Sequence, residues 1–212
     1  MKFAKWLDNF WYHYKWVTII TVFLIAVALI CTLQLVNKTE VDAYVKYVGN
    51  TNIPKTKMFD IKASLESLTE DSTGDGKKTV DFSWLSYITD PENPFYAETN
   101  ASAKEQLSSM AVLPYYIYIM PAEVYDTYKG TSVFTPLSEI FGNAVPDFAY
   151  DDGALYYNQT YFARNMPGGE GFPEDTVIAL KVVPYCSNKK TAAKEQASFD
   201  NHLKLFKNIV GN

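Results

Sequence analysis

Cysteine and histidine are scarce in this chain, two of each in 212 residues, and their positions remove several chemistries at once. Cys31 lies inside an apolar run and Cys186 stands alone, so no intrachain disulfide, zinc cluster or Cys-x-x-Cys redox pair can be built from them. His13 borders the apolar run and His202 falls in a C-terminal helical pattern, so a membrane between them excludes a shared metal site. His202, set among apolar positions, reads as a packing residue. No Gly-x-Ser-x-Gly elbow and no Walker-type phosphate loop occurs, and nothing calls for a cofactor. Basic charge is also thin. Nineteen Lys and Arg against 24 Asp and Glu leave a net charge of −5, with no sustained basic stripe, which excludes a phosphate-neutralising nucleic-acid binder.

The charge is divided unevenly. Residues 1–36 carry three Lys and one Asp, a net +2; the remaining 16 basic and 23 acidic residues give −7. Within the first part, Val17 to Val36 holds no charge at all. At about 1.5 Å per residue, twenty helical residues cover a hydrocarbon layer of about 30 Å, so 17–36 is expected to be a transmembrane helix in the lipid bilayer. A cleaved signal peptide has a shorter apolar core. Ala26-Val-Ala28 would fit a cleavage site but lies inside the run, and Ile30 before Cys31 does not suit lipidation. An uncleaved signal anchor is the better reading.

Residues 1–16 form an aromatic leader. Phe3, Trp6, Leu7, Phe10, Trp11 and Tyr14 recur at helical spacing, with Lys2, Lys5, Asp8, Asn9 and His13 mostly opposite. Aromatic rings favour the headgroup layer, so a short interfacial helix leading into the span is expected. Lys2, Lys5 and Lys15 precede the span, against Lys38 and Lys46 after it. This modest positive-inside bias favours a cell-membrane protein with a cytoplasmic N-terminus and an external C-terminal domain.

Residues 37–212 alternate strand and helix signals. Val41–Val48 alternates apolar and polar residues before a Gly49-Asn50 turn; Met58, Ile61, Leu65 and Leu68 follow helical spacing. Thr79–Ile88 reads as a strand, Ala101–Met110 as a helix, and Tyr115–Met120, apolar on both faces, as a central strand. Pro121 suits the first turn of a helix that stops at Gly130, and Pro136–Phe141 forms a helical turn closed by Gly142. Strands over Ala154–Asn158 and Thr176–Val183 and an amphipathic helix over Thr191–Val210 complete the pattern. The expected fold is therefore one three-layer α/β domain with a mainly parallel or mixed sheet behind a transmembrane helix.

The same segments carry two resemblances. An aromatic leader like WYHYKW, a strand like DAYVKYVG, a GDGK turn, a strand ending LSYIT, then YYIYIMPAEVYDTYKG, TPLSEIFG, PEDTVIAL and HLKLFKNIVG follow one another. In this order the chain resembles an uncharacterised family of small single-pass membrane proteins from Gram-positive anaerobic bacteria, a likeness that implies an address and no activity. Locally, YYIYIMPAEVYDTYKGTSVFTPLSEIFG is similar to one lobe of extracellular solute-binding proteins, in which two α/β lobes close on a ligand. This chain has room for about one lobe, so the likeness bears on fold more than on transport.

Chemistry is thinly marked. Asp71, Thr73, Asp75 and Gly76 match the start of a calcium loop, but Phe82 stands where the twelfth-position carboxylate belongs and Asp81 falls one residue short. A hydrophilic turn is the expectation. Met166–Pro173 reads as a surface loop and Asp151-Asp152-Gly153 as a turn. Sixteen tyrosines offer ring surfaces for sugars or peptides, though α/β cores use them too. The reading that follows is a membrane-anchored binding or interaction protein of the cell envelope without catalysis. Its ligand site is expected at the carboxyl ends of the parallel strands, near Gly49, Tyr87 and Glu123. An envelope hydrolase using a carboxylate pair and a structural subunit with a membrane or envelope protein partner are the alternatives.

Overall fold

The structure, a computed structural model, describes residues 2–36, 40–49 and 53–211, without the side chains of residues 2–9 and 34–36. Lys38, Asn50 and the leader positions Phe3, Trp6 and Leu7, which figured in the sequence reading, lie outside the described residues or side chains. The chain forms two compact units, dividing at Thr39 and Glu40.

The first unit is a single helix, α1 (Lys2–Val36). The helical leader expected to lead into the span does so without a break, because no proline or glycine interrupts residues 2–36. Its window Phe10–Leu33 has mean hydropathy 2.7 and none of it is buried, so by length and composition it can cross a membrane. Ile20, Phe23, Leu24, Ile25 and Leu29 are all exposed, on every side of the helix. In water this surface would be a large uncompensated cost, and hydrocarbon removes it.

Among the described residues, the second unit contains five strands. These are β1 (Ala43–Gly49), β2 (Val80–Ser86), β3 (Ile117–Pro121), β4 (Ala154–Tyr156) and β5 (Thr176–Leu180), arranged in the order β2-β1-β3-β5-β4. β1 pairs parallel with both β2 and β3; β5 runs antiparallel to β3 and β4. Four strands thus point one way and β5 alone is reversed, making the sheet mixed. β3 occupies the centre and all five of its residues are buried, as its two-faced apolar composition requires.

Helices cover both faces. Ile61 and Leu65 of α2 (Lys55–Leu68) and Leu205, Phe206 and Ile209 of α7 (Lys189–Val210) form one core with Val45, Tyr47, Ile117 and Ile119. Ala103 and Leu107 of α3 (Tyr96–Ser108) and Val124 and Tyr125 of α4 (Ala122–Tyr128) form the other with Val48, Leu85, Tyr118 and Met120. The period-2 alternation of the strands sends neighbouring residues to opposite cores, which produces three layers. Two short helices, α5 (Leu137–Phe141) and α6 (Tyr161–Asn165), lie in the connections flanking β4.

Capping explains where several elements start and stop. The Asn188 side chain accepts the N–H groups of Lys190 and Thr191, starting α7 two residues before the periodicity suggests, and Gly211 ends it in the left-handed region. Thr160 caps α6 by accepting the Ala163 N–H. That helix was not expected, since five residues are too few to establish a period.

Residues 166–173 form the loop expected of them, with Pro167, Glu170, Gly171 and Pro173 exposed, but part of it is packed inward. Gly168, Gly169 and Phe172 are buried. The Ser64 hydroxyl donates to the Pro167 carbonyl and the buried Tyr157 hydroxyl to that of Gly169. Gly168 has φ +80°, and a Cβ there would strike Ile61 and the Lys57 carbonyl. Gly168 permits close approach to α2 and Gly169 to Phe162 and Ala163 of α6.

Candidate functional site

The carboxyl ends of β1, β2 and β3 lie side by side. Chain order 2-1-3 makes the β1/β3 boundary a topological switch point, since one connection leads from β1 to β2 and the next crosses back to β3. The structure brings Gly49, Tyr87 and Glu123 together here. The Tyr87 N–H donates to the Gly49 carbonyl at 3.1 Å. Burial, with the Glu123 carboxylate, pushes the Tyr87 phenol up to about 12. Glu123 is exposed in the first turn of α4, at its positive end. Beyond Tyr87, the buried Asn100 side chain accepts the Ile88 N–H and donates to the Ile88 carbonyl, holding the β2–α3 loop. Gly49 is needed for packing, because a Cβ there would collide with the Tyr47 phenol.

An open cleft of about 490 Å³ lies at the other end of the sheet. Its walls come from the end of α4 (Tyr125) and the turn after it (Lys129, Ser132), from Phe134, Pro136 and Glu139, from Asp151, Asp152 and Gly153 before β4, and from Val182 after β5. Since β5 is reversed, Val182 falls near the amino end of β3, opposite Gly49 and Glu123. The buried Tyr125 hydroxyl donates to Asp151 Oδ1 at 2.6 Å, and the Gly153 N–H donates to the same oxygen at 2.9 Å. Burial, then this bond to Asp151, pushes the Tyr125 phenol far above its usual range. Lys129 Nζ lies 2.7 Å from Asp126 and 3.6 Å from Asp151, and the Asp126 contact raises the ammonium's pKa. Ser132 adopts φ +55°, unusual for a non-glycine residue. Sequence reading missed this cleft. Its residues come from four segments spread over positions 125–182, and Asp151-Asp152-Gly153 has only turn character locally.

Two buried ionisable groups are structural. His202, fully buried, accepts the Tyr44 N–H on Nε2 at 2.8 Å and contacts the Ser198 carbonyl through Nδ1 at 2.6 Å. These neighbours require the proton on Nδ1. Tyr44 immediately precedes the first β1 residue paired with β3, so the imidazole supplies an acceptor where that ladder has not begun. Its ring lies 4.7 Å from that of Tyr116, whose hydroxyl donates to Glu195 at 2.7 Å. Burial pushes His202 down to about 4. Lys181, 1% exposed, donates to the Leu113 and Met110 carbonyls and sits 4.7 Å from the Tyr116 ring centroid; burial pushes it down to about 8.

The calcium-like segment folds as a turn. The Asp71 carboxylate is occupied by the N–H groups of Gly74 and Gly76, and the Asp75 carboxylate by that of Lys77. The buried Asp42 carboxylate organises the approach to this loop by accepting the N–H groups of Ser72, Thr73 and Thr79 and the Ser72 hydroxyl. Among the described residues no group of three His, Cys, Asp or Glu side chains could hold a metal ion. Comparison with protein-family models, curated proteins and solved structures gives no match.

Proposed function

We propose that the chain is a membrane-anchored binding module of the cell envelope. In this reading α1 holds an extracytoplasmic α/β domain at the bilayer surface, with the N-terminus in the cytoplasm. The carrying observation is the Phe10–Leu33 helix, with mean hydropathy 2.7 and none of it buried, joined to a domain that has an open cleft. Three lysines before the span support the orientation. The likeness of residues 115–142 to one lobe of solute-binding proteins belongs to the same proposal. Protease added to intact cells is expected to remove the domain and leave α1 in the membrane fraction; full protection of the domain would refute the topology. Cross-linking in intact membranes followed by detergent extraction is expected to trap a partner or ligand through the domain.

A second reading is an envelope hydrolase, favoured by the three carboxylates Glu139, Asp151 and Asp152 lining one cleft. Asp151 is already committed to Tyr125 and Gly153, which leaves Glu139 and Asp152 for an acid–base pair. Turnover of chromogenic glycosides that is abolished by Glu139→Gln or Asp152→Asn would establish it.

A further inference from the structure

The chain enters the domain at the end of the sheet where β1 begins, and the most exposed apolar side chains of the domain lie at that same end. We propose that this end rests on the lipid bilayer, with Val112 and Tyr185 in the headgroup layer; this gives the binding-module reading a partner and rests on α1 spanning the membrane. Only residues 37–42 separate Val36, the last residue of α1, from Ala43, the first of β1. Six extended residues reach at most about 20 Å, at about 3.5 Å each, so the amino end of β1 stays within that distance of the end of the span whatever the tilt of the helix.

Parallel pairing puts the amino ends of β2 and β3 beside that of β1, and the reversed β5 ends there too. Two connections emerge at this end. One is the tight turn Met110–Val112, followed by Leu113 and Pro114 before β3, in which Val112 is 81% exposed. The other, residues 182–187 between β5 and α7, carries Tyr185, 95% exposed. Among the described residues no other large apolar side chain of the domain is as open to solvent. The next two, Phe59 at 72% and Phe95 at 64%, belong to the connections that leave the carboxyl ends of β1 and β2. Neither Val112 nor Tyr185 sits on a loose tip. The buried Lys181 ammonium donates to the Met110 and Leu113 carbonyls, and the N–H groups of Lys181 and Val182 donate to the Tyr116 and Val133 carbonyls. A valine and a tyrosine held out in water carry a cost that a bilayer interface removes, and a ring that is apolar in its body and polar at its hydroxyl suits the headgroup layer. Exposed charge at this end is close to balanced, Lys77, Lys78, Lys189 and Lys190 against Glu40, Asp71 and Asp75. Contact therefore depends on the apolar pair and persists on uncharged lipid.

Full-length protein is reconstituted into phosphatidylcholine liposomes. In a Cys31→Ser, Cys186→Ser background it carries a nitroxide at Val112→Cys, at Tyr185→Cys or, at the far end, at Phe95→Cys. Power-saturation electron paramagnetic resonance reads collisions with oxygen, which concentrates in lipid, and with a water-soluble nickel chelate supplied on both sides of the bilayer. The labels at 112 and 185 are expected to show an oxygen-to-nickel ratio several-fold above that of the label at 95. Nickel access equal to that at 95 would put this end in water and overturn the proposal. Protection from both reagents would mean that a second copy or another protein covers the patch, and would overturn it as well. A label on Cys31 itself, with only Cys186 replaced, tests the span separately. Water at position 31 would remove the membrane anchor on which the binding-module reading stands, whereas lipid at 31 with water at 112 and 185 would sink the docking of this end alone. If the cysteine variants lose their fold, unmodified protein is irradiated in liposomes containing a phospholipid with a diazirine beside its glycerol. Adducts are expected on peptides holding residues 110–114 and 182–187 and not on the one holding Phe95; their absence from the first two would overturn the proposal.

Discussion

Acidification offers a direct test of how the first strand and the last helix of the α/β domain are joined. His202 and Tyr44 are 158 residues apart, and the imidazole accepts the Tyr44 N–H while fully buried. Protonating Nε2 would set an N–H against an N–H and place a charge among Tyr44, Tyr116 and Lys181. An unfolded histidine titrates near 6.5 and this one near 4 when folded. Between those values the unfolded chain takes up a proton that the folded chain refuses, so stability is lost as pH falls through 6.5 and keeps falling to about 4. The difference of roughly 2.5 pH units corresponds to a loss of about 3 kcal/mol. Urea unfolding of the full-length protein in detergent, followed by near-ultraviolet circular dichroism of its tyrosines, measures stability at pH 7, 6, 5 and 4. Carboxylates also destabilise in acid, so the informative quantity is the difference from His202→Gln. That variant is expected to be weaker at pH 7 by about 2 kcal/mol, through lost ring packing and imperfect pairing, and to lose less stability on acidification. Equal losses between pH 6.5 and 4 in the two proteins would refute the account.

Other buried groups give further expectations. Burial tends to raise the Asp42 pKa, but the donors of Thr79, Thr73 and Ser72 outweigh it and the net effect is a lowered value. Its contribution is present above the ordinary carboxylate range and lost as pH falls through the folded value; Asp42→Ala should cost about 2–4 kcal/mol at pH 7 by orphaning several donors, read from the urea midpoint. Lys181 titrates near 8 when folded against 10.5 unfolded, so stability should rise as pH climbs between those values. Lys181→Met should remove that rise, which paired urea midpoints at pH 8 and pH 10 would reveal. Gly168→Ala should cost about 2 kcal/mol or more, because φ is +80° and the methyl meets Ile61 and the Lys57 carbonyl; thermal unfolding checks it.

Much of the element pattern is legible without the structure because it is local. Ile61 and Leu65 share a helical face through i, i+4 spacing, and residues 117–121 read as a central strand because apolar side chains occur on both faces. The direction of β5 has no such signal. A strand's composition is the same whichever way it runs, and the long path from α4 to Thr176 permits either direction. The burial of Gly168, Gly169 and Phe172 is equally non-local, since glycine and proline mark a turn in the sequence but not the helices packed against it. The expected site residues Gly49, Tyr87 and Glu123 do meet, because strand order follows a rule of parallel sheets. The cleft could not be foreseen, for it depends on the reversal of β5.

The sequence alone determined the 20-residue uncharged stretch, the +2 and −7 division of charge around it, and the shortage of cysteine and histidine. Each is a property of composition along the chain and needs no partner. Tertiary structure decided what those scarce residues do. His202 became an acceptor for a strand's first unpaired N–H, Lys181 a buried donor to the carbonyls around residues 110–113, and Asp151 one wall of a cleft. The physical reason is that hydrogen-bond satisfaction and charge balance are settled between groups tens to more than a hundred residues apart, so they exist only once the sheet has closed.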